Sequence, residues 1–230
     1  MDYEGITAAA NPNYFPMLYK ANSGWDAGVM LQNAVSVNNL VSVQYHYDQP
    51  DGYCCSSYNH TIPANGVHSL FPLPATVLSG FIGSGVASGN FNFYSIINQV
   101  KLSINNGGAA RGPGTGAKTV VLPVVFNNYT TSWLGKTGWT TGLSVQNLGS
   151  GEATVSFYKY WHTGNPPYSS PQVVSISPGQ AYIFYPLTLP SNFYGSAVIV
   201  SNQPVAVIVN HVVLPTPSED VFMSHNGVER

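Results

Sequence analysis

The segment Gly24-Trp25-Asp26-Ala27-Gly28-Val29-Met30-Leu31-Gln32-Asn33 recurs later in the chain as Gly138-Trp139-Thr140-Thr141-Gly142-Leu143-Ser144-Val145-Gln146-Asn147. Both follow the pattern Gly-Trp-x-x-Gly-x-x-x-Gln-Asn, and 114 residues separate them (138 minus 24). A shared pattern of this length indicates that the chain contains two copies of one folding unit.

Three further blocks repeat at nearly the same spacing. The first pair is offset by 114 residues and the other two by 112. The drift of two residues falls between the blocks, in predicted loops, where changes in length have the smallest energetic effect. The paired blocks are 62–73 with 176–187, 81–84 with 193–196, and 96–100 with 208–212.

The composition favours self-association and excludes two classes of partner. Charged residues make up 7% of the 230 residues, against about 25% in ordinary soluble domains. A surface with so little charge lacks the repulsion that keeps monomers apart, although a monomer with an uncharged polar surface is the alternative. The seven lysines and arginines are too few and too scattered to bind nucleic acid. No apolar run is long enough for a membrane span.

The N-terminus carries no recognisable export signal. Residues 1–5 provide neither a basic region nor an apolar core, so we expect no signal peptide in this chain. Three possibilities stay open: the signal was removed, it is absent from this version of the chain, or export follows another route.

Alternation of apolar and polar residues predicts an all-β protein. Residues 42–47 and 154–160 place valine and aromatic side chains at every second position, the period of a half-buried strand. Seven such strands in about a hundred residues favour an immunoglobulin-like sandwich, so the chain is predicted to form two tandem immunoglobulin-like β-sandwich domains. The strands predicted in the second copy are 119–126, 139–147, 152–161, 171–176, 179–185, 194–201 and 204–214.

The domain boundaries follow from the repeats and from the glycine-rich stretch between them. That stretch has the composition of a flexible linker. The segments outside both copies contain apolar residues such as Ile6 and Phe222, yet have no place in the seven-strand count. The predicted parts are an N-terminal arm (1–13), a first sandwich (14–104), a linker (105–118), a second sandwich (119–214) and a C-terminal tail (215–230).

Motifs that carry chemistry are weak in this sequence. Residues 112–119 approach the phosphate-loop pattern, but Ala117 replaces its last glycine and a strand rather than a helix follows. We therefore predict no nucleotide binding at 112–119.

The adjacent Cys54 and Cys55 are interpreted as free thiols, a strained vicinal disulfide, or bonds to another chain.

The histidines show no metal-ligand spacing, and no G-x-S-x-G nucleophile elbow is present. We interpret them as polar strand or loop residues, and we predict no catalytic residue, no cofactor and no metal, so the protein is not expected to be an enzyme. The six are His46, His60, His68, His162, His211 and His225.

Two repeated pairs and two sequons remain as candidate binding residues. Trp25 and Trp139 are interpreted as seals of a core end, as platforms for sugar rings, or as subunit contacts. The amides Asn98 and Asn210 are expected to tie loop backbone to a sheet edge. Possible glycosylation sites, both expected in loops, are Asn59 and Asn128, each the first residue of an N-x-[ST] pattern.

The second copy resembles a repeat found in secreted and cell-surface proteins of filamentous, often thermophilic bacteria of the Chloroflexota type. The matching residues are 122–129, 141–150, 153–155 and 195–210. The first copy departs from it at Lys20-Ala21-Asn22, where the repeat has Asn-Asn-Tyr. The resemblance implies an extracellular β-sandwich without assigned chemistry and carries over no catalytic residue.

These observations predict a structural subunit of an extracellular or cell-surface filament or sheath that assembles with itself through β-strand addition. The alternatives are a carbohydrate-binding or adhesive module with surface glycans as partners, and a virion or tail component. The tail segment 220–223 is the second choice of donor strand. The first choice is the arm, with Tyr3, Gly5, Ile6, Thr7 and Ala8 as the assembly strand.

Overall fold

The computed structural model describes residues 8–47, 54–104, 106–163, 167–213 and 222–229, without the side chains of 54–56, 104 and 106. These residues form an all-β protein, as predicted, with three sheets of four, eight and four strands and a single 3-10 turn at Leu102–Ile104. The strands are β1 (Asn13–Lys20), β2 (Asp26–Asn33), β3 (Asn39–Tyr47), β4 (Cys54–Ile62), β5 (Val67–Leu70), β6 (Phe81–Gly89), β7 (Phe93–Lys101), β8 (Asn106–Arg111), β9 (Ala117–Asn127), β10 (Trp139–Asn147), β11 (Ala153–Trp161), β12 (Gln172–Ile176), β13 (Ala181–Phe184), β14 (Phe193–Val213), β15 (Phe222–Asn226) and β16 (Val228–Glu229).

The strand order of the first half of the chain recurs in the second. In the first copy (residues 8–116), layer A has the order β1-β6-β3-β4 and layer B the order β5-β2-β7-β8. In the second copy (residues 117–229), layer A is β9-β14-β11-β12 and layer B is β13-β10-β14-β15. The two-residue strand β16 is added to layer A at the outer edge of β9. The 21-residue strand β14 serves both layers, because it spans the two strands predicted at 194–201 and 204–214 without interruption.

An eighth strand in each copy corrects the prediction of seven strands and a flexible linker. Residues 106–111, predicted as linker, form β8 and pair with β7, whereas the tail forms β15 and pairs with β14. Ile96 lies opposite Arg111 just as Ile208 lies opposite Asn226. The prediction failed because a strand can be held by main-chain hydrogen bonds alone, so Gly-Gly-Ala-Ala carries no apolar alternation to detect.

The two layers of each copy enclose a buried apolar cluster. In the first copy the cluster includes Phe15, Val29, Val43 and Phe81, all fully buried. In the second copy it includes the fully buried Phe157, a counterpart of Val43 at the same place in the sheet. The alternating residues of the predicted strands therefore face the interior as the pattern indicated.

A glycine repeated in both copies is required by close approach of neighbouring strands. A Cβ at Gly83 would lie 2.0 Å from the carbonyl oxygen of His46, and one at Gly195 would lie 1.9 Å from that of Tyr160. No side chain fits at that distance. The repeated blocks 81–84 and 193–196 therefore record a steric requirement of layer A.

The asparagine that ends the repeated pattern anchors a turn in each copy. The Asn147 amide donates to the carbonyls of Gly151 (2.8 Å) and Ile176 (2.9 Å), and its side-chain oxygen accepts from the N–H of Gly149. Asn33 bonds in the same way to Val37 and to the end of β4. Both side chains are buried, so each amide satisfies backbone groups that water cannot reach.

The first strand of each copy has the same irregularity. The register between β1 and β6 shifts between Phe15 and Leu18, around Pro16, and that between β9 and β14 shifts around Pro123. Proline has no N–H to donate to the ladder, which favours a bulge at this position. Pro16 is buried, whereas Pro123 is exposed.

Candidate functional site: the inter-copy contact

The two copies pack against each other through different faces. The outer face of layer A of the first copy, with β8 beside it, lies on the outer face of layer B of the second copy. We call this the inter-copy contact. Its main residues are Pro16, Met17, Ser84, Gly85, Gln99 and Gly108 on one side and Ser144, Gln146, Gly179, Ile208, Asn210 and Phe222 on the other.

One buried amide joins two strands, β10 and β6, and the turn between β12 and β13 near the centre of this contact. The Gln146 amide nitrogen donates to the carbonyl of Gly85 (3.0 Å) and to that of Gly179 (2.9 Å). The Ser84 hydroxyl donates to the same Gly179 carbonyl at 3.1 Å, and the Ser144 hydroxyl donates to the carbonyl of Pro16. Since these groups are buried, the bonds fix the relative position of the two layers.

A second amide network lies beside the first. Asn210 donates from its amide nitrogen to the side-chain oxygen of Gln99 (2.9 Å) and contacts the Met17 sulfur (2.9 Å). Gln99 in turn donates to the carbonyl of Met17. Asn210 was expected to tie loop backbone to a sheet edge; it instead bonds side chains of the other copy.

Apolar groups complete the contact. Ile208 belongs to the second copy, yet it is fully buried in the apolar cluster of the first. Phe222 of β15 lies against Trp25, with ring centroids 4.6 Å apart, and against Gly108, where a Cβ would lie 2.6 Å from the ring. The glycine-rich composition of β8 thus provides room for an aromatic side chain of the tail.

The two repeated tryptophans have different surroundings. Trp139 is 2% exposed, packs with Phe126 and Trp133, and donates from its indole nitrogen to the carbonyl of Trp133 at 2.9 Å. Its burial excludes a role as a platform for sugars. Trp25 is half-buried and packs on Phe222 across the inter-copy contact.

A histidine pair lies inside the second copy. His211 bonds to the Thr141 hydroxyl (2.8 Å) and to the His225 ring (3.1 Å between the two Nε2 atoms). Burial, together with the neighbouring His225 imidazole, lowers the pKa of His211 to about 3. The ring is therefore neutral at ordinary pH, which suits a hydrogen-bonded structural role. Gln99 occupies the matching place in the first copy.

The other histidines and acidic residues that the structure describes form no metal cluster. Burial lowers the pKa of His46, and burial with the nearby His68 lowers that of His60. The rings of His60 and His68 lie 4.5 Å apart, and His162 stacks on Tyr194. Among the residues that the structure describes, no three metal-ligating side chains come together.

Within the same residues, no helix has the length and apolar character of a membrane span.

The proposed assembly strand is only partly visible. Tyr3, Gly5, Ile6 and Thr7 lie outside the described residues, and Ala8 is exposed. The rest of the arm is bound to its own copy: Ala10 pairs with Phe93 through two backbone hydrogen bonds of 3.1 Å, and Asn11 bonds to Gly89. In the tail, Asp220 and Val221 also lie outside the described residues, while Phe222 and Met223 belong to β15.

The remaining candidate residues lie as follows. Asn59 is exposed on β4 rather than in the predicted loop, and Asn128 is exposed in the turn after β9, where it donates to Ser191. Cys54 and Cys55 begin β4, where the structure describes their backbone but not their side chains. The phosphate-loop-like stretch leads into strand β9, as the sequence indicated.

The inter-copy contact was not predicted from sequence. Its clearest signal is in β10, where Ser144 and Gln146 are polar at alternate positions and yet fully buried. In the first copy the matching residues of β2, Met30 and Gln32, are exposed. Periodicity identifies the face on which these residues lie but not what covers it.

Comparisons with known proteins leave the family open. No protein-family model matches the chain, and no curated protein matches it either. Solved structures that resemble part of it include Thermotoga maritima 1070 (TM-score 0.39, 20% identity, 50% of this chain and 96% of that one). Another is the Anabaena sensory rhodopsin transducer (TM-score 0.31, 17% identity, 40% and 80%). Likenesses this weak carry no argument about fold or function.

Proposed function

We propose that the protein is a structural subunit of an extracellular or cell-surface filament or sheath, made of two tandem immunoglobulin-like β-sandwich domains that associate with other copies of the chain. The sandwich assignment is supported by the repeated strand order and by a buried cluster between the layers of each copy. An extracellular location is supported by the resemblance of residues 122–210 to repeats of secreted proteins.

The observation that carries this proposal is the absence of charge on four edge strands. Among the described strands, β4, β5, β12 and β13 end their layers, and none of the four contains Asp, Glu, Lys or Arg. Val67 and Val173 on these strands are 51% and 56% exposed. Monomeric proteins usually protect edge strands with lysine or other charges, because unpaired backbone groups invite pairing with another chain.

Strand addition is the joint that such edges favour. An incoming strand satisfies the unpaired N–H and C=O groups, and its alternate side chains give specificity. The donor proposed here is the segment Tyr3–Ala8, which precedes the anchor of the arm at Ala10. A head-to-tail joint of this kind does not close on itself and propagates as a fibre.

Electron microscopy and sedimentation of the purified chain test the function. We expect filaments whose amount rises with protein concentration. Lysine at exposed edge positions, in Thr61→Lys and Val173→Lys, should reduce assembly, whereas Leu134→Lys in an exposed turn should not. A chain that stays monomeric at every concentration would contradict the proposal.

A second candidate function is glycan binding at an aromatic group in the second copy. Tyr129, Trp133 and Tyr194 are half-buried around Phe126, and the exposed His162 stacks on Tyr194. Partly exposed aromatic rings of this kind can stack on sugars. Saturable binding of a soluble glycan by the monomer, lost in Trp133→Ala, would favour this function over assembly.

A further inference from the structure

The inter-copy contact is heterologous, since it joins the layer A face of one copy to the layer B face of the other. Each copy has both faces, so the chain uses only one of each. Within the described residues, the layer B face of the first copy is uncovered, and so is the layer A face of the second copy, with β16 beside β9 at its edge. A contact of this type propagates when the same pair of faces is available at both ends of the molecule.

The uncovered layer B face has three of the residues that the covered one uses. Gln146, Ile208 and Asn210 bind the first copy, and Gln32, Ile96 and Asn98 stand at the matching positions of β2 and β7. All three pairs are identical. Gln32 is exposed, Ile96 and Asn98 are half-buried, and the neighbouring Met30 is 41% exposed.

Three positions of the uncovered layer A face match their covered counterparts. Pro16, Ser84 and Val86 lie at the inter-copy contact, and Pro123, Ser196 and Val198 occupy the matching positions of β9 and β14. The strand bulge around the proline is also present in both copies. Pro123 is exposed, whereas Ser196 and Val198 are half-buried.

We infer that a second copy of this chain docks here, placing the layer A face of its second copy on the layer B face of the first copy of its neighbour. This rests on the proposed function, and it adds to the strand addition proposed above a second joint, between sheet faces, that repeats the inter-copy contact. Gln32 then donates to the carbonyl of Ala197, the counterpart of Gly85, and Ile96 is buried as Ile208 is in the inter-copy contact.

Substitutions at the matching positions make the joint between chains weaker than the contact inside the chain. His211 stands where Gln99 accepts from Asn210, and Met223 stands where Gly108 makes room for Phe222. Met30 replaces Ser144, so the bond from that hydroxyl to the Pro16 carbonyl has no counterpart. Val124 replaces Met17, which removes the sulfur that Asn210 contacts. Tyr160 replaces His46, whose ring lies beside Gly179 at the inter-copy contact. The joint also has to form between separate molecules, so assembly depends on protein concentration.

The test uses one charged variant for each face. Ile96→Asp blocks the layer B face of the first copy, and Val198→Asp blocks the layer A face of the second. Each variant keeps the other face intact. We expect either variant alone to lose at least tenfold in sedimentable polymer, and an equimolar mixture to form a one-to-one dimer that grows no further. Leu134→Asp, in the exposed turn between β9 and β10, is the matched control and should polymerise like the wild type.

Thermal unfolding of each monomer checks that the variants fold, and Gln32→Arg with Ser196→Arg replaces any that do not. If the wild type fails to polymerise, the proposed function is wrong. If the wild type polymerises and either face variant does so equally well, the function stands and the face joint is wrong. Variants that are both monomeric and form no dimer when mixed would also overturn the joint.

Discussion

Strands β2 and β10 have the same sequence pattern and opposite surroundings. In β10 the outward residues Ser144 and Gln146 are buried under the first copy, whereas in β2 Met30 and Gln32 face outwards uncovered. The asparagine that ends each pattern makes the same turn contacts in both copies. The comparison separates two kinds of repeated residue: those that hold the fold, and those whose role depends on what covers their face.

The largest effect is expected from the glycines that hold the fold. Gly195→Ala would place a methyl group 1.9 Å from the Tyr160 carbonyl oxygen, so layer A of the second copy must deform. We expect a loss of about 3 kcal/mol or more in the free energy of unfolding. Gly83→Ala should have the same effect in the first copy, measured by urea unfolding.

Gly151→Ala is the control for this pair, because its added methyl group would meet nothing closer than the Gln203 amide at 3.4 Å. A loss below 1 kcal/mol at both Gly83 and Gly195 would mean that the repeated blocks do not record a steric requirement.

The turn asparagines should come next. Asn147→Ala removes three hydrogen bonds and leaves buried backbone groups without partners, so we expect a loss of about 2 to 3 kcal/mol. Asn33→Ala should match it within about 0.5 kcal/mol. Denaturant titrations followed by tryptophan fluorescence measure both. Clearly unequal losses would show that the two turns are not equivalent.

The two glutamines should differ most between the copies. Gln146→Ala leaves the carbonyls of Gly85 and Gly179 without their amide donor, and we expect a loss of about 2 kcal/mol in the monomer. Gln32→Ala should change monomer stability by less than about 0.5 kcal/mol, since Gln32 is exposed. Equal losses would contradict the assignment of a covered and an uncovered face.

At His211 a difference is expected that is absent above pH 6.5 and develops only as the pH is lowered. Its pKa is about 3 in the folded protein and about 6.5 in the unfolded chain, so the unfolded chain binds the additional proton between these values. This contribution is complete above pH 6.5, and stability should fall by about 1.4 kcal/mol for each pH unit below it. His211→Gln, which installs the residue of the first copy, should reduce this acid slope. An unchanged slope between pH 6 and 4 would contradict this.

The sequence predicts the strand content well because alternation is a local property. The six strands β9 to β14 lie within about two residues of the predicted ranges, apart from the missing break in β14. Strands β8 and β15 escaped prediction because their sequences share little: Gly112 and Gly227 follow them in both copies, but the strands themselves are not alike. Their common register is visible only in the pairing with β7 and β14.

The inter-copy contact could not be predicted for a different reason. It joins side chains far apart in sequence, such as Gln99 and Asn210, which are 111 residues apart. Gln146 and Gln32 are the same residue at matching positions. The first copy covers Gln146, whereas Gln32 is exposed. Burial of an amide by another layer depends on tertiary packing, and no local pattern encodes it.

Helical reconstruction of the assembled protein by cryo-electron microscopy tests the central claim most directly. The rotation and translation that carry the first copy onto the second within one chain should also carry the second copy onto the first copy of the next chain. Gln32 and Ile96 should then be buried beneath β9 and β14 of the neighbour. Filaments in which Gln32 and Ile96 stay exposed, or closed dimers in which both chains use the same face, would contradict this account of the face joint.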